Sequence, residues 1–310
     1  MDTTATTPAD PVDQTAMDLM ELGADLPLIP RLPQRLRASS GDLYEKATFQ
    51  RFDVGDGGYL SHAVAVAPSP AATPRSVKSP SDSPRPIELF YDSIADRFDD
   101  IMNLYDMRRR VETVFDVFLR DFNLTGRKVL DAGCGTGWFS LRASQRGADV
   151  TALDIGPRLL EQVRRKCPAR TVCGSVTDLQ FDDDTFDVVI SSECIEHTRQ
   201  PAVAVRELIR VCRPGGRVAI TSNNHFWYWL CALANRLKLR PYEGIENWPR
   251  WSDLRSWVER ENVHVIDQRG IHLFPFQIRL LHPILKFLDR FGRVSGPVCV
   301  NQAILALKQC

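Results

Sequence analysis

One stretch, Val129-Leu130-Asp131-Ala132-Gly133-Cys134-Gly135-Thr136-Gly137-Trp138, constrains this chain more than any other. Its first three residues end a short strand, Lys128–Asp131, and the pattern then changes to glycine at alternate positions. Glycine reaches positive φ without steric cost and lets the backbone approach a ligand closely. The apolar spacing that resumes at Trp138 predicts a helix whose first N–H groups are unpaired and suited to an anionic or polar ligand. The stretch is therefore a strand, a tight glycine turn and a helix start.

The rest of the chain from residue 87 fits that beginning. Strands are expected at Lys128–Asp131, Asp149–Leu153, Thr171–Cys173, Phe186–Ser191, Arg217–Thr221, Val263–Gln268 and Pro297–Leu307. Helices are expected at Ile87–Met102, Tyr105–Phe122, Trp138–Arg146, Pro157–Lys166, Pro201–Val211 and Asp253–Arg260, from apolar residues three and four apart. This alternation predicts an α/β, doubly wound, mostly parallel seven-stranded sheet. The glycine spacing is Gly-x-Gly-x-Gly, which departs from the Gly-x-Gly-x-x-Gly of dinucleotide sites. An acidic residue, Asp154, ends the next strand, where a carboxylate can accept from both ribose hydroxyls of an adenosyl ligand.

These blocks, with Asp184-Thr185-Phe186-Asp187-Val188-Val189 and Arg213-Pro214-Gly215-Gly216, make residues 87–310 resemble class I S-adenosylmethionine-dependent methyltransferases. The resemblance implies a Rossmann-like fold and S-adenosyl-L-methionine as methyl donor. It implies that Asp131, Gly133, Gly135 and Gly137 line the methionine and ribose side. Asp154 would hold the ribose hydroxyls, Ile155 the adenine face, and Ser192 the methionine moiety. Where the family often has Gly-Asp at the adenine amine, this chain has Gly174 followed by Ser175 and Val176, with Asp178 a further candidate.

After the fourth strand comes Ser192-Glu193-Cys194-Ile195-Glu196-His197. On a helical turn, residues three and four apart share a face, so Glu193, Glu196 and His197 are expected to converge. The Glu-x-x-Glu-His stretch resembles the metal site of ubiquinone-biosynthesis and small-RNA O-methyltransferases. That resemblance implies Mg²⁺ or Mn²⁺ held by Glu193, Glu196, His197 and Glu246, the last standing where those families place a histidine. The ion would lower the pKa of an acceptor hydroxyl. The other reading makes His197 a general base, with Glu193 beside it, and needs no ion.

Five of the six tryptophans lie between residues 227 and 257, and insertions at 225–250 and 272–296 are expected to cap the acceptor. Aromatic lining suits a flat or apolar small molecule, although the same pattern also suits a helix packed in the core. The segment Phe274–Phe291 mixes apolar and basic residues, so it packs on its own domain or a twin subunit, or lies on an anionic membrane surface. Lys+Arg and Asp+Glu both total 39, which argues against a nucleic-acid partner and against RNA methylation. Residues 68–86 hold six prolines and five serines, so 1–86 are expected to be a largely disordered extension and linker. The opening residues lack the basic and apolar regions of a secretory signal, so a cytoplasmic location is expected. The eight cysteines form no Cys-x-x-Cys pair and read as reduced thiols. The expected chemistry is O-methylation of a small, largely apolar or aromatic hydroxyl-bearing acceptor in biosynthetic metabolism. N- or C-methylation, or a non-catalytic donor-binding module, are the alternatives.

Overall fold

The computed structural model describes residues 88–237, 244–275 and 279–309, so the expectations for 1–86 lie outside the described residues. Seven strands build one sheet: β1 (Lys128–Ala132), β2 (Asp149–Asp154), β3 (Arg170–Cys173), β4 (Phe186–Ser192), β5 (Cys212–Asn223), β6 (Val263–Ile271) and β7 (Asn301–Lys308). Their order is β3-β2-β1-β4-β5-β7-β6. Strands β1 to β5 pair in parallel, whereas β7 runs antiparallel between β5 and β6. The winding direction reverses between β1 and β4, and the crevice outside their carboxyl ends is where such sheets take ligands.

The helices follow from apolar spacing and their caps. They are α1 (Leu104–Glu112), α2 (Trp138–Gln145), α3 (Pro157–Lys166), α4 (Pro201–Val211), α5 (Tyr228–Arg236), α6 (Trp251–Glu259) and α7 (His282–Leu288). Asn103 caps α1 by accepting the amide of Asp106 at 3.1 Å. Proline opens α3 and α4, where its missing N–H costs nothing. Ala204, Val205, Leu208, Ile209 and Val211 of α4 pack with Leu130, Val189, Val218 and Ile220 of the sheet and Leu254 and Val258 of α6.

Several expected elements differ: the helix expected over Tyr105–Phe122 is α-helical only to Glu112, the strand expected at Arg217–Thr221 runs over Cys212–Asn223, and two further differences bear on the site. The single helix over Ile87–Met102 is broken into turns at Phe90–Ser93, Ala95–Arg97 and Phe98–Ile101. The breaks turn two acids inward: Asp92 Oδ1 accepts the amides of Arg158 and Leu159 at the start of α3, and Asp99 accepts from Thr136 within the glycine turn. Strand β7 starts at Asn301 rather than Pro297, because Gly296–Val298 form a 3₁₀ turn and the Val300 amide donates to the His272 carbonyl. Among the described residues, no helix is long and apolar enough to cross a membrane.

Candidate active site

The glycine turn is built as its sequence requires. Gly133, Gly135 and Gly137 have φ of +74°, +52° and +87°, values an L side chain rarely adopts. The amides of Gly133 and Cys134 donate to the Leu153 carbonyl at 2.7 and 3.0 Å, which ties the turn to the end of β2. Asp154 completes the bracket, its carboxylate accepting the Gly135 amide on one oxygen and the Gly156 amide on the other, both at 2.9 Å. Asp131, at the end of β1, accepts from the Ser140 hydroxyl of α2 at 2.6 Å. Burial pushes Asp131 up to about 7 and Asp154 up to about 6.

Asp99 spans the loop from outside. It accepts from the Thr136 hydroxyl at 2.6 Å and the Trp138 indole at 3.1 Å, and pairs with Lys166, whose ammonium lies 4.8 Å from the centre of the Trp138 ring. Nothing in the local sequence marks Asp92 or Asp99 for these roles; the acids sit in a helical pattern whose periodicity reports only apolar spacing.

The adenine-side residues are arranged differently from one another. Ile155 follows β2 directly, and its carbonyl accepts from the Cys173 thiol. The Ser175 hydroxyl is 2.8 Å from that of Thr177 and accepts the Thr177 amide, so it is engaged locally. Val176 is 6% exposed and packs into the core.

At the end of β4, Ser192 accepts from the Arg110 guanidinium at 2.9 Å and bonds the Thr221 hydroxyl at 2.7 Å. Arg110 is buried and pairs with Asp106, which also meets the His272 ring at 3.2 Å. Arg110 was silent in the sequence, because a buried arginine in a helix looks like any solvated one.

Glu193 has φ +50° and leads into a short 3₁₀ turn, Ile195–His197. Burial and the neighbouring Glu196 carboxylate push Glu193 up to about 8, against the pull of Arg110. Glu196 is fully buried, and its Oε1 accepts the Asn223 backbone and side-chain N–H groups at 3.1 and 3.0 Å. Its Oε2 takes no N–H or O–H donor. A proton held on the Glu193 carboxyl group and shared with Glu196 relieves that pair.

His197 is held by its Nδ1, 2.8 Å from the Ile245 carbonyl. A carbonyl only accepts, so Nδ1 carries the proton and Nε2 is the basic nitrogen. Nε2 lies 3.3 Å from the Tyr91 hydroxyl, and the two rings meet edge to face at 5.0 Å.

The expected metal set does not assemble. Among the described residues, no three His, Cys, Asp or Glu side chains are placed to hold a metal ion. The convergence of Glu193, Glu196 and His197 assumed an α-helical turn. The positive φ at Glu193 and the 3₁₀ turn after it break that geometry. Glu196 is committed to Asn223 and His197 to Ile245. The 245–247 segment does pass beside the turn, since the Asn247 amide donates to the Glu196 carbonyl, but the Glu246 carboxylate accepts from Asn235.

Titration of Glu193 carries a stability signature. Its folded value lies above the ordinary 4.5, so the folded state keeps the proton longer and loses stability as pH rises toward about 8. Glu193→Gln should therefore gain about 1–2 kcal/mol at the upper end of that range, a figure reduced for the solvent the half-buried group retains. Below the ordinary value of 4.5 the gain should vanish. Urea unfolding at both pH values checks this, and an equal gain at both would contradict it.

Residues 130–220 match a methyltransferase domain model. The demethylmenaquinone methyltransferase of Renibacterium salmoninarum is 28% identical over 198 residues, 56% of this chain and 82% of that protein. The ubiquinone biosynthesis O-methyltransferase of Proteus mirabilis is 29% identical over 199 residues, 60% of this chain and 81% of that protein. A crystal structure of an S-adenosylmethionine-dependent methyltransferase from Mesorhizobium loti superposes with a TM-score of 0.50 at 16% identity, over 64% of this chain and 98% of that one. The strand order, the bracketed glycine turn and these matches agree on one conclusion: the chain is a class I S-adenosylmethionine-dependent methyltransferase, an enzyme of Rossmann-like fold.

Proposed function

We propose that the chain transfers the methyl group of S-adenosyl-L-methionine to a hydroxyl oxygen on a small, largely apolar or aromatic acceptor of biosynthetic metabolism, with a quinone precursor as the favoured class. The observation that carries this reading is the fixed tautomer of His197, whose basic Nε2 stands at the carboxyl end of β4. The Tyr91 oxygen, 3.3 Å from Nε2, marks a position from which an acceptor hydroxyl can hand over its proton. As the acceptor oxygen attacks the methyl carbon, the bond from sulfur to that carbon breaks, the acceptor's proton stays on His197, and S-adenosylhomocysteine leaves. Glu193 leads into the same turn, beside Glu196.

On this reading, Asp131, Gly133, Gly135, Gly137 and Ser192 cradle the methionine and ribose, Asp154 accepts from the ribose hydroxyls, and Ile155 covers the adenine. The insertions at 225–250 and 272–296 cap the acceptor. Trp248, 7% exposed, has an indole N–H without a partner among the described residues. The names of two relatives support the quinone class.

Asp154→Ala should weaken donor binding by about 1.5–3 kcal/mol, the range for hydrogen bonds to a charged group. Unchanged affinity in a folded variant, measured by calorimetry, would remove Asp154 from the donor site. The acceptor reading is tested by mass spectrometry of metabolites from cells with and without the chain. A metabolite that gains one methylene unit on oxygen supports it; gain only on nitrogen or carbon rejects it.

A further inference from the structure

After β6 the chain leaves a line of apolar side chains uncovered. Leu280, Ile284, Phe287, Phe291 and Val294 recur at helical spacing through α7 and the turns that flank it, which places them on one face. Leu280 and Val294 are 85% exposed, and Ile284, Phe287 and Phe291 are each more than half exposed. The opposite face makes the contacts with the domain: Leu285 is buried, and Asp289 accepts from Arg109 and from the His272 amide. Of the alternatives the sequence leaves open for this segment, packing on its own domain holds for Leu285 and not for the line from Leu280 to Val294. A second line, Trp229, Leu233 and Leu237, follows along α5 and is 45–59% exposed. The two segments are joined next to these lines, where the Trp227 indole donates to the Val298 carbonyl at 2.8 Å. Exposed apolar area on this scale marks an interaction site.

Charge selects the occupant. Between residues 280 and 298 the only carboxylate is Asp289, which is turned inward, while Lys286, Arg290 and Arg293 are exposed. Lys286 lies 3.9 Å from Glu112, Arg293 pairs with Asp267, and Arg290 lies over the Phe287 ring. Residues 225–237 carry no carboxylate and place Arg236 at the exposed end of α5. A second copy docked about a twofold axis would bring this basic rim against itself. An anionic bilayer instead takes the apolar line into its interface, meets the basic side chains with its headgroups, and suits the exposed Trp229 at the boundary.

We propose that the face formed by α5, α7 and the turns through Val298 docks on an anionic lipid bilayer. The proposal does not depend on the identity of the acceptor. It has a structural link to the site, because α1 holds the turn that follows α7 through Arg109 and Asp289 and also carries Arg110 to Ser192.

The full chain should co-sediment with phosphatidylcholine vesicles containing phosphatidylglycerol, more weakly with phosphatidylcholine alone, and less as salt rises. Phe287→Glu and Ile284→Glu should each lower binding to the anionic vesicles about tenfold or more. Lys286→Glu with Arg290→Glu should erase the preference for anionic vesicles. Wild-type donor affinity in these variants shows that they are folded. Absence of vesicle binding by the wild type, or binding indifferent to these changes, would overturn the proposal. A wild-type dimer that Phe287→Glu splits into monomers would also overturn it, by assigning the face to a second copy.

Discussion

Gly133→Ala should cost both the fold and the donor site. A Cβ at this position would lie 2.1 Å from the Cys194 sulfur and 2.5 Å from its Cβ, so the glycine turn and the Glu193–His197 turn touch here with no room for a methyl group. The φ of +74° adds backbone strain that any side chain would feel. Together these should lower stability by about 2–5 kcal/mol, the sum of overpacking and left-handed strain. Donor affinity should fall at least tenfold, because the Gly133 amide then cannot keep its bond to Leu153. The cause is separable. Cys194→Gly in the same chain removes both clashing atoms and should recover most of the loss, leaving only the strain. Cys194→Ala keeps the Cβ and should recover little. Denaturation and donor calorimetry on the three variants check this, and equal recovery by both substitutions would reject the steric account.

His197→Ala should lower turnover by about 10²–10⁴-fold while leaving donor affinity unchanged, which is the range for loss of a positioned general base. The separation of the two effects follows from the geometry: His197 bonds to Ile245 and Tyr91, whereas the donor bracket is made by β1, β2 and the glycine turn. Excess chelator should leave wild-type turnover intact, since the carboxylates needed for an ion are committed to Asn223, to Asn235 and to one another. Turnover that collapses in chelator and returns with Mg²⁺ or Mn²⁺ would restore the metal reading.

Much of the fold was legible because it depends on local pattern. Helices α3 and α4 lie where proline and apolar spacing put them, and β1, β2 and β4 differ from expectation by one residue at an end. The glycine turn and Asp154 were legible because positive φ and a strand-end carboxylate are chemical demands of the backbone itself. The misses share a cause. The metal set required three side chains to share a face, and that depends on φ at Glu193, which an acidic residue does not announce. Asp92 and Asp99, and Arg110 toward Ser192, act on residues more than thirty positions away, so no window of sequence contains both partners. The apolar line on α7 had the right spacing for a buried face, and only its surroundings show that it faces outward.

The central claim is that an oxygen takes the methyl group with His197 as base. The direct measurement supplies donor carrying an isotopically labelled methyl group and a hydroxylated aromatic acceptor with an apolar tail to the full chain in excess chelator. Magnetic resonance then locates the label in the product. The account predicts a labelled methoxy group, formed by the wild type and all but lost in His197→Ala. Label on a ring carbon or on nitrogen, or product formed at the same rate by His197→Ala, would contradict it.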